Sequence, residues 1–144
     1  MALLKRMHWD ERVSIGVPEI DRQHQILFSV INQLMGLHEE GATDTFDILE
    51  QLTHYLNYHF HTEHTLMLGL DYPDFQEHSA SHQNFIDRVL GFLDDYEHSK
   101  MPPPRDLLAF LHEWFIQHIL QTDRRLGAFL QRQRRNKRLA APPE

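Results

Sequence analysis

Apolar residues recur at spacings of three and four along most of the chain, and this periodicity constrains the fold more than any other feature. Four stripes can be traced: Ile20, His24, Leu27, Ile31, Leu34 and His38; Leu49, Leu52, Leu56, His59, Glu63, Leu66 and Leu70; Phe75, His78, His82, Phe85, Val89, Phe92 and Tyr96; and Leu107, Leu111, Trp114 and His118. A period near 3.6 belongs to helices that turn one face to a core. Breakers separate the runs. An arm ends at Val17-Pro18, the loop GLHEEGATD follows Ile20–His38, Gly69 and DYPD close Phe46–Leu70, and MPPP divides Asp74–His98 from Leu107–Leu130. Pro73 suits the first turn of the third helix. No strand-like alternation of useful length occurs. Helices of roughly 20–25 residues, each about 30 Å long, with short connections predict an all-α, antiparallel up-down-up-down four-helix bundle with an N-terminal arm, residues 1–17.

Each stripe is apolar except where histidine or a carboxylate interrupts it, most sharply in YHFHTEHTLM, residues 58–67. A buried carboxylate without a partner is costly or becomes protonated, and a buried imidazole needs its hydrogen bonds satisfied. His59 and Glu63 lie late in the second helix, His78 and His82 early in the third, His24 early in the first. Counting rises of about 1.5 Å per residue from the shared turns brings them toward one end of the bundle. The fourth helix adds His118 and Asp123. Neutral imidazoles around carboxylates describe a metal site, and seven candidates are too many for one zinc ion, which takes four ligands. Two octahedral ions sharing these five histidines, two bridging carboxylates and one bridging oxygen fall one bond short of saturation, which leaves one position open. Imidazole and carboxylate suit iron or manganese.

The fourth helix carries a second irregularity. His118 and Asp123 are five residues apart, which on an ideal helix separates them by about 140°. The stripe resumes at Asp123, Leu126 and Leu130, one residue out of step. A single-turn π-bulge would absorb that residue, and such bulges favour functional sites. An unbroken stripe through Leu108, Leu111, Phe115, His118 and Thr122 is the alternative.

Composition narrows function by exclusion. The 144 residues suit one domain, 1–131, followed by the basic end of the last helix and a frayed tail, 132–144. Without cysteine there is no disulfide and no thiolate zinc site. No apolar run reaches transmembrane length, and MALLKRMHWDER lacks the apolar core of a secretory signal, so a cytoplasmic protein without stable membrane insertion is expected. RQRRNKR, from Arg132, carries five positive charges in a chain of net charge −7. On an acidic body, without interleaved aromatics, this run reads as complementing a helix dipole, and no nucleic-acid partner is expected. Twelve histidines against fourteen lysines and arginines is the outlier, and they are dispersed. HExxH, EF-hand, P-loop and GxGxxG motifs are absent, as are the Glu-x-x-His pairs of carboxylate-rich di-iron bundles. A histidine-rich site has fewer anionic ligands, stabilises high-valent iron less, and suits reversible O2 binding better than O2 cleavage.

The order His24, HFHTE (His59 and Glu63), HSASH (His78 and His82) and HILQTD (His118 and Asp123) resembles the hemerythrin family, specifically its single-domain bacteriohemerythrins. Trp9, IDRQH before Leu27, LM at 66–67, YP at 72–73 and Trp114 four residues before His118 fit as well, so the similarity runs from about Trp9 to Leu130. The resemblance implies two iron ions with a bridging oxo or hydroxo group. His78, His82 and His118 would hold one, His24 and His59 the other, and Glu63 and Asp123 would bridge. O2 would bind end-on at the second iron, in a pocket lined by Leu27, Phe60, Trp114 and Ile119. It implies reversible O2 binding, for storage, delivery or sensing; a monomer is expected, with an oxygen-consuming protein as a candidate partner. The rival is an enzyme using the same centre on peroxide or nitric oxide. His64 departs from relatives that often carry a second Glu there, and is expected to face outward. His8, His38, His54, His61, His98 and His112 match no ligand position; His38 is in phase with the first stripe at its far end.

Overall fold

A computed structural model describes residues 6–41, 46–99 and 105–140; the expected loop residues ATD (42–44) and MPPP, the side chains of Phe46, Tyr96, Ser99 and residues 138–140, and the last four residues lie outside them. The chain forms α1 (Pro18–Glu39), α2 (Phe46–Gly69), α3 (Phe75–Ser99) and a fourth helix made of α4 (Arg105–Gln117), a π-helical turn (His118–Asp123) and α5 (Arg124–Ala140). This is an all-α four-helix bundle, and no strand occurs among the described residues. No described helix is long and apolar enough to cross a membrane.

Local chemistry sets the helix ends. Pro18 opens α1 after the extended Val17, with Glu19 and Asp21 in the first turn where the helix dipole favours negative charge. The Asp21 carboxylate also accepts from Ser14 Oγ at 2.5 Å and from the Ile15 N–H at 2.9 Å, which turns the arm into the helix. α2 ends at Gly69, one residue short of the expected Leu70, and the left-handed residue that reverses the chain is Asp71, at φ 51°. Aspartate tolerates this conformation, and the Tyr72 N–H reaches back to Met67 O at 2.9 Å to close the end.

The stripes face inward largely as their period requires. Ile20, Leu27, Ile31 and Leu34 of α1 are fully buried, and Leu49, Leu52 and Leu56 of α2 nearly so. Each such side chain contributes about 2 kcal/mol by leaving water. Two differences follow from where α2 stops. Leu70 lies beyond its last residue and is exposed, and Met67 takes the inward place while Leu66 is half-buried. On α4 both readings of the stripe hold: Leu107, Leu108, Leu111 and Phe115 are all fully buried, Trp114 half-buried. The π-turn settles the register after them. The Arg124 N–H bonds Ile119 O, five residues back, and Asp123 turns fully inward while Thr122 is half-buried. The basic run does continue the last helix, since α5 extends to Ala140.

The arm seals the bundle end near the polar residues. Met7 exchanges two hydrogen bonds with the Asn32 side chain, both 2.7 Å, and Val13, Ile15 and Val17 are buried. Gly16, at φ 77°, makes the bend, and Gln131 donates to its carbonyl at 3.1 Å. Gly127 of α5 admits the arm: a Cβ there would lie 2.3 Å from Ile15 O. Gly127→Ala therefore destabilises the protein by about 2 kcal/mol through this overlap. Gly91 is also helical but has no atom within 4 Å of such a Cβ, so Gly91→Ala stabilises by about 1 kcal/mol. Urea unfolding of both variants measures this, and equal signs would contradict the close approach.

Candidate metal centre

All seven polar residues read from the stripes meet in the interior. His24, His59, Glu63 and Asp123 are fully buried, and His78, His82 and His118 are exposed by 5% or less. Their ligating atoms form two overlapping groups, each within 4.8 Å: Glu63, His78, His82, His118 and Asp123, and His24, His59, Glu63 and Asp123. The groups share only the carboxylates. Glu63 sets Oε1 2.7 Å from His59 Nε2 and Oε2 2.9 Å from His78 Nε2. Asp123 sets Oδ2 3.1 Å from His24 Nε2, and Oδ1 3.0 Å from His118 Nε2 and 3.3 Å from His78 Nε2. Each carboxylate thus turns one oxygen to each histidine group.

The distances are those of hydrogen bonds, but most of the contacts are not hydrogen bonds. Among the described residues, Glu63 Oε1, both Asp123 oxygens, His59 Nε2 and both nitrogens of His24 are buried with none. His82 Nε2 and His118 Nε2 stand 3.1 Å apart, two ring nitrogens directed at one another. One of these two rings can donate to the other, so it is the unpartnered carboxylate and imidazole atoms that call for a cation. Metal–nitrogen bonds of about 2.1 Å make the edge of an octahedron about 3 Å, the spacing seen around His78, His82, His118 and Asp123. The donor set holds no sulfur, so imidazole and carboxylate oxygen fit iron or manganese rather than a soft ion.

Packing places the four helices' contributions. His24 sits between Ile20 and Leu27, His59 and Glu63 between Leu56 and Met67, and the π-turn between Phe115 and Leu126, so apolar layers close the cluster on both sides along the bundle. Phe60 stacks on His82 at 3.8 Å and lies 5.8 Å from the ring of His59. Trp114 stacks on His118 at 4.2 Å and on Phe85 at 4.0 Å, beside the three-histidine group. Leu27 and Ile119 are fully buried. His64 does not simply face outward. It is half-buried in the α2–α3 seam, stacked 5.6 Å from His82 and edge-on to Phe75, because a residue one position after Glu63 turns only about 100° away from it. His8, His54, His61 and His98 are exposed, His38 and His112 half-buried, and none of them joins either group.

Two contributors escaped the reading of the stripes, because neither is a ligand type in the interior period. Gln23 accepts from His59 Nδ1 at 2.7 Å, and Ser81 Oγ lies 3.2 Å from His118 Nδ1. Each directly precedes a ligand-position histidine, in IDRQH and HSASH, and that adjacency is the signal that could have found them.

Charge in the cluster is strongly redistributed. Burial and the neighbouring Asp123 push the Glu63 carboxyl up, but His59 and His78 outweigh them and bring it down to about 2. Asp123, pushed up by burial, is held well below the ordinary carboxylate range by His118, His24 and His78. Burial depresses His78, yet Asp123 and Glu63 raise it to about 9, whereas burial dominates at His82 and lowers it to about 3.

The residues 15–130 match the model of the Hemerythrin HHE cation binding domain. The chain is 27% identical over 122 residues to the bacteriohemerythrin of Clostridium acetobutylicum, covering 81% of this chain and 95% of that protein. It is 26% identical over 115 residues to the myohemerythrin of Theromyzon tessulatum, covering 80% and 86%. A crystal structure of wild-type hemerythrin superposes with a TM-score of 0.76 at 26% identity, covering 85% of this chain and 95% of that one. The buried histidine–carboxylate cluster and the bundle that encloses it are those of a cation-binding helical domain. The chain belongs to the hemerythrin family.

The high pKa of His78 sets a proton count for metal uptake. In metal-free protein His78 holds its proton below about pH 9, and a ligating imidazole must give it up. Metal binding at about pH 7 therefore expels this proton, and the number released falls by about one as pH rises through 9. Calorimetric titration in buffers of different ionisation heat measures the count. A count that stays flat or rises over that interval would falsify the assignment of His78 as both protonated and ligating.

Proposed function

We propose that the chain binds O2 reversibly at two iron ions, bridged by an oxo or hydroxo group and held by His24, His59, Glu63, His78, His82, His118 and Asp123. One observation carries this reading: Glu63 and Asp123 each divide their two oxygens between two histidine groups, as bridging carboxylates do. Two ferrous ions held there would supply the reversible two-electron chemistry that O2 binding requires. The protein's part is to hold, shield and exclude. With the bridging oxygen, His78, His82, His118 and both carboxylates would saturate one ion, and His24 and His59 with the same bridges would leave the other one bond short. Leu27, buried one turn after His24, and Phe60 and Ile119, buried directly after His59 and His118, would keep water from the open side, and Trp114 covers His118.

The carrier reading is supported by where Tyr55, Tyr58 and His61 lie. An enzyme that cleaves O–O or N–O bonds needs a proton donor at the site. Tyr58 and His61 are exposed on the outer face of α2, and Tyr55 is half-buried there. On this reading O2 leaves unchanged, for storage, sensing or delivery to an oxygen-consuming partner.

Protein grown with iron should contain two irons per chain. Glu63→Ala should lose them, because the same side chain serves both histidine groups, while His61→Ala should keep them, because His61 is exposed. Elemental analysis decides, and equal loss in both variants sinks the ligand set.

Reduced protein should take up one O2 per pair of irons, giving a visible band in air that argon removes over repeated cycles. Leu27→Ala should hasten loss of that cycling more than it weakens O2 uptake, because the cavity admits water. Permanent oxidation at the first exposure, together with turnover of peroxide or nitric oxide, would replace the carrier reading with the enzyme.

A further inference from the structure

The five imidazoles of the cluster differ in what their outer nitrogens meet. Among the described residues, Nδ1 of His24, His78 and His82 is buried without a hydrogen bond. His118 meets the Ser81 hydroxyl, which donates or accepts equally well. His59 alone meets a chain whose direction is fixed. Thr62 Oγ1 lies 3.1 Å from the carbonyl of Tyr58, which only accepts, so the Thr62 hydroxyl proton points there. Thr62 Oγ1 then has only lone pairs for Gln23 Nε2 at 3.2 Å, so the amide NH2 faces Thr62. Gln23 Oε1 must therefore face His59, and at 2.7 Å it takes the proton of Nδ1. That leaves the Nε2 lone pair for an ion held between it and Glu63 Oε1, 2.7 Å away.

We propose that Gln23 is a positioning residue that, with Thr62, fixes His59 as the Nδ1–H tautomer and holds it as a neutral metal ligand. This rests on the reading above that the group of His24 and His59 holds a metal ion. Gln23 is 8% exposed and forms part of the floor of a groove of about 740 Å³ beside Tyr55 and Tyr58, so it also stands between solvent and the outer nitrogen of His59. Its neutral amide matters as much as its reach. A carboxylate at this place would draw the Nδ1 proton, make the imidazole more electron-donating and favour the ferric ion. The amide leaves the ligand neutral and favours the ferrous one. It does so on the side where the open position is proposed.

Three variants test this: Gln23→Met, similar in size without an acceptor; Gln23→Glu, which keeps the acceptor and adds charge; and Thr62→Val, which removes the direction of the chain. The metal-free variants are first melted by circular dichroism, so that binding is compared between folded proteins. In titrations with Fe(II) under argon, Gln23→Met should weaken the weaker-bound ion by about 10–100-fold, the usual cost of losing such a partner. Thr62→Val should weaken the same ion by less, and Gln23→Glu should restore the affinity. In iron-loaded protein, Gln23→Glu should lower the midpoint potential and Gln23→Met should not. A merely structural role would move melting temperature and leave the potential unchanged. Wild-type affinity in Gln23→Met, or an unshifted potential in Gln23→Glu, overturns the inference. Neither readout uses O2, so failure of reversible O2 binding with both effects intact overturns the carrier reading alone.

Discussion

The structure turns on two carboxylates, Glu63 and Asp123, carried with no solvent exposure into the middle of an apolar bundle. An uncompensated carboxylate at such depth costs several kcal/mol, more than a well-packed leucine returns. Their neighbours are there to meet that cost. Five imidazoles close on four carboxylate oxygens, and the carboxylates stay ionised in spite of burial because histidines face them from every helix. The compensation is incomplete in the protein alone. His82 is driven neutral by burial while His78 keeps a proton, and several lone pairs converge without a hydrogen between them. A cluster left in that condition is a binding site for positive charge.

The second constraint is geometric, and the fourth helix bears it. Two inward side chains on one α-helix come three or four residues apart; His118 and Asp123 are five apart. An unperturbed helix would have to give up either the imidazole or the carboxylate. The π-turn inserts the extra residue between them, so Phe115, His118, Asp123 and Leu126 are all buried on one side. The apolar layers before and after the turn, with Leu111 and Phe115 on one side and Leu126 and Leu130 on the other, hold a backbone form that has little stability of its own. The arm does the same for the bundle end, where Ile15 presses on Gly127 and leaves no room for another residue.

Most of this could be read from the chain because period 3.6 and burial are the same fact seen twice. The helices, their inward faces and all seven cluster residues follow from it, and the slipped register after His118 announced the π-turn. What could not be read lies off the inward face. Gln23 and Ser81 occupy flanks, where periodicity carries no signal and only the packing of a neighbouring helix decides what a side chain meets. His64 was misplaced for the same reason: a position just off the stripe faces water on an isolated helix, yet here the α2–α3 seam covers it. The end of α2 was misjudged because Asp71, not a glycine, adopts the left-handed turn, and Leu70 then falls outside the helix.

These flanking residues make the two halves of the cluster unequal before any ion is present. The carboxylates are shared evenly, one oxygen to each side, so they cannot distinguish the halves. The histidine count does, three against two, and so does the outer hydrogen bonding. On the three-histidine side the rings are fixed by stacking, Phe60 on His82 and Trp114 on His118, and Ser81 leaves the direction of the bond to His118 undecided. On the two-histidine side, the directed chain through Thr62 and Gln23 decides the tautomer of His59. Aromatic stacking restrains where a ring lies, whereas a directed hydrogen bond also sets which nitrogen carries the proton. On the side with fewer ligands, His59 is therefore the ligand whose chemistry is the most tightly prescribed, while His24 has no such partner.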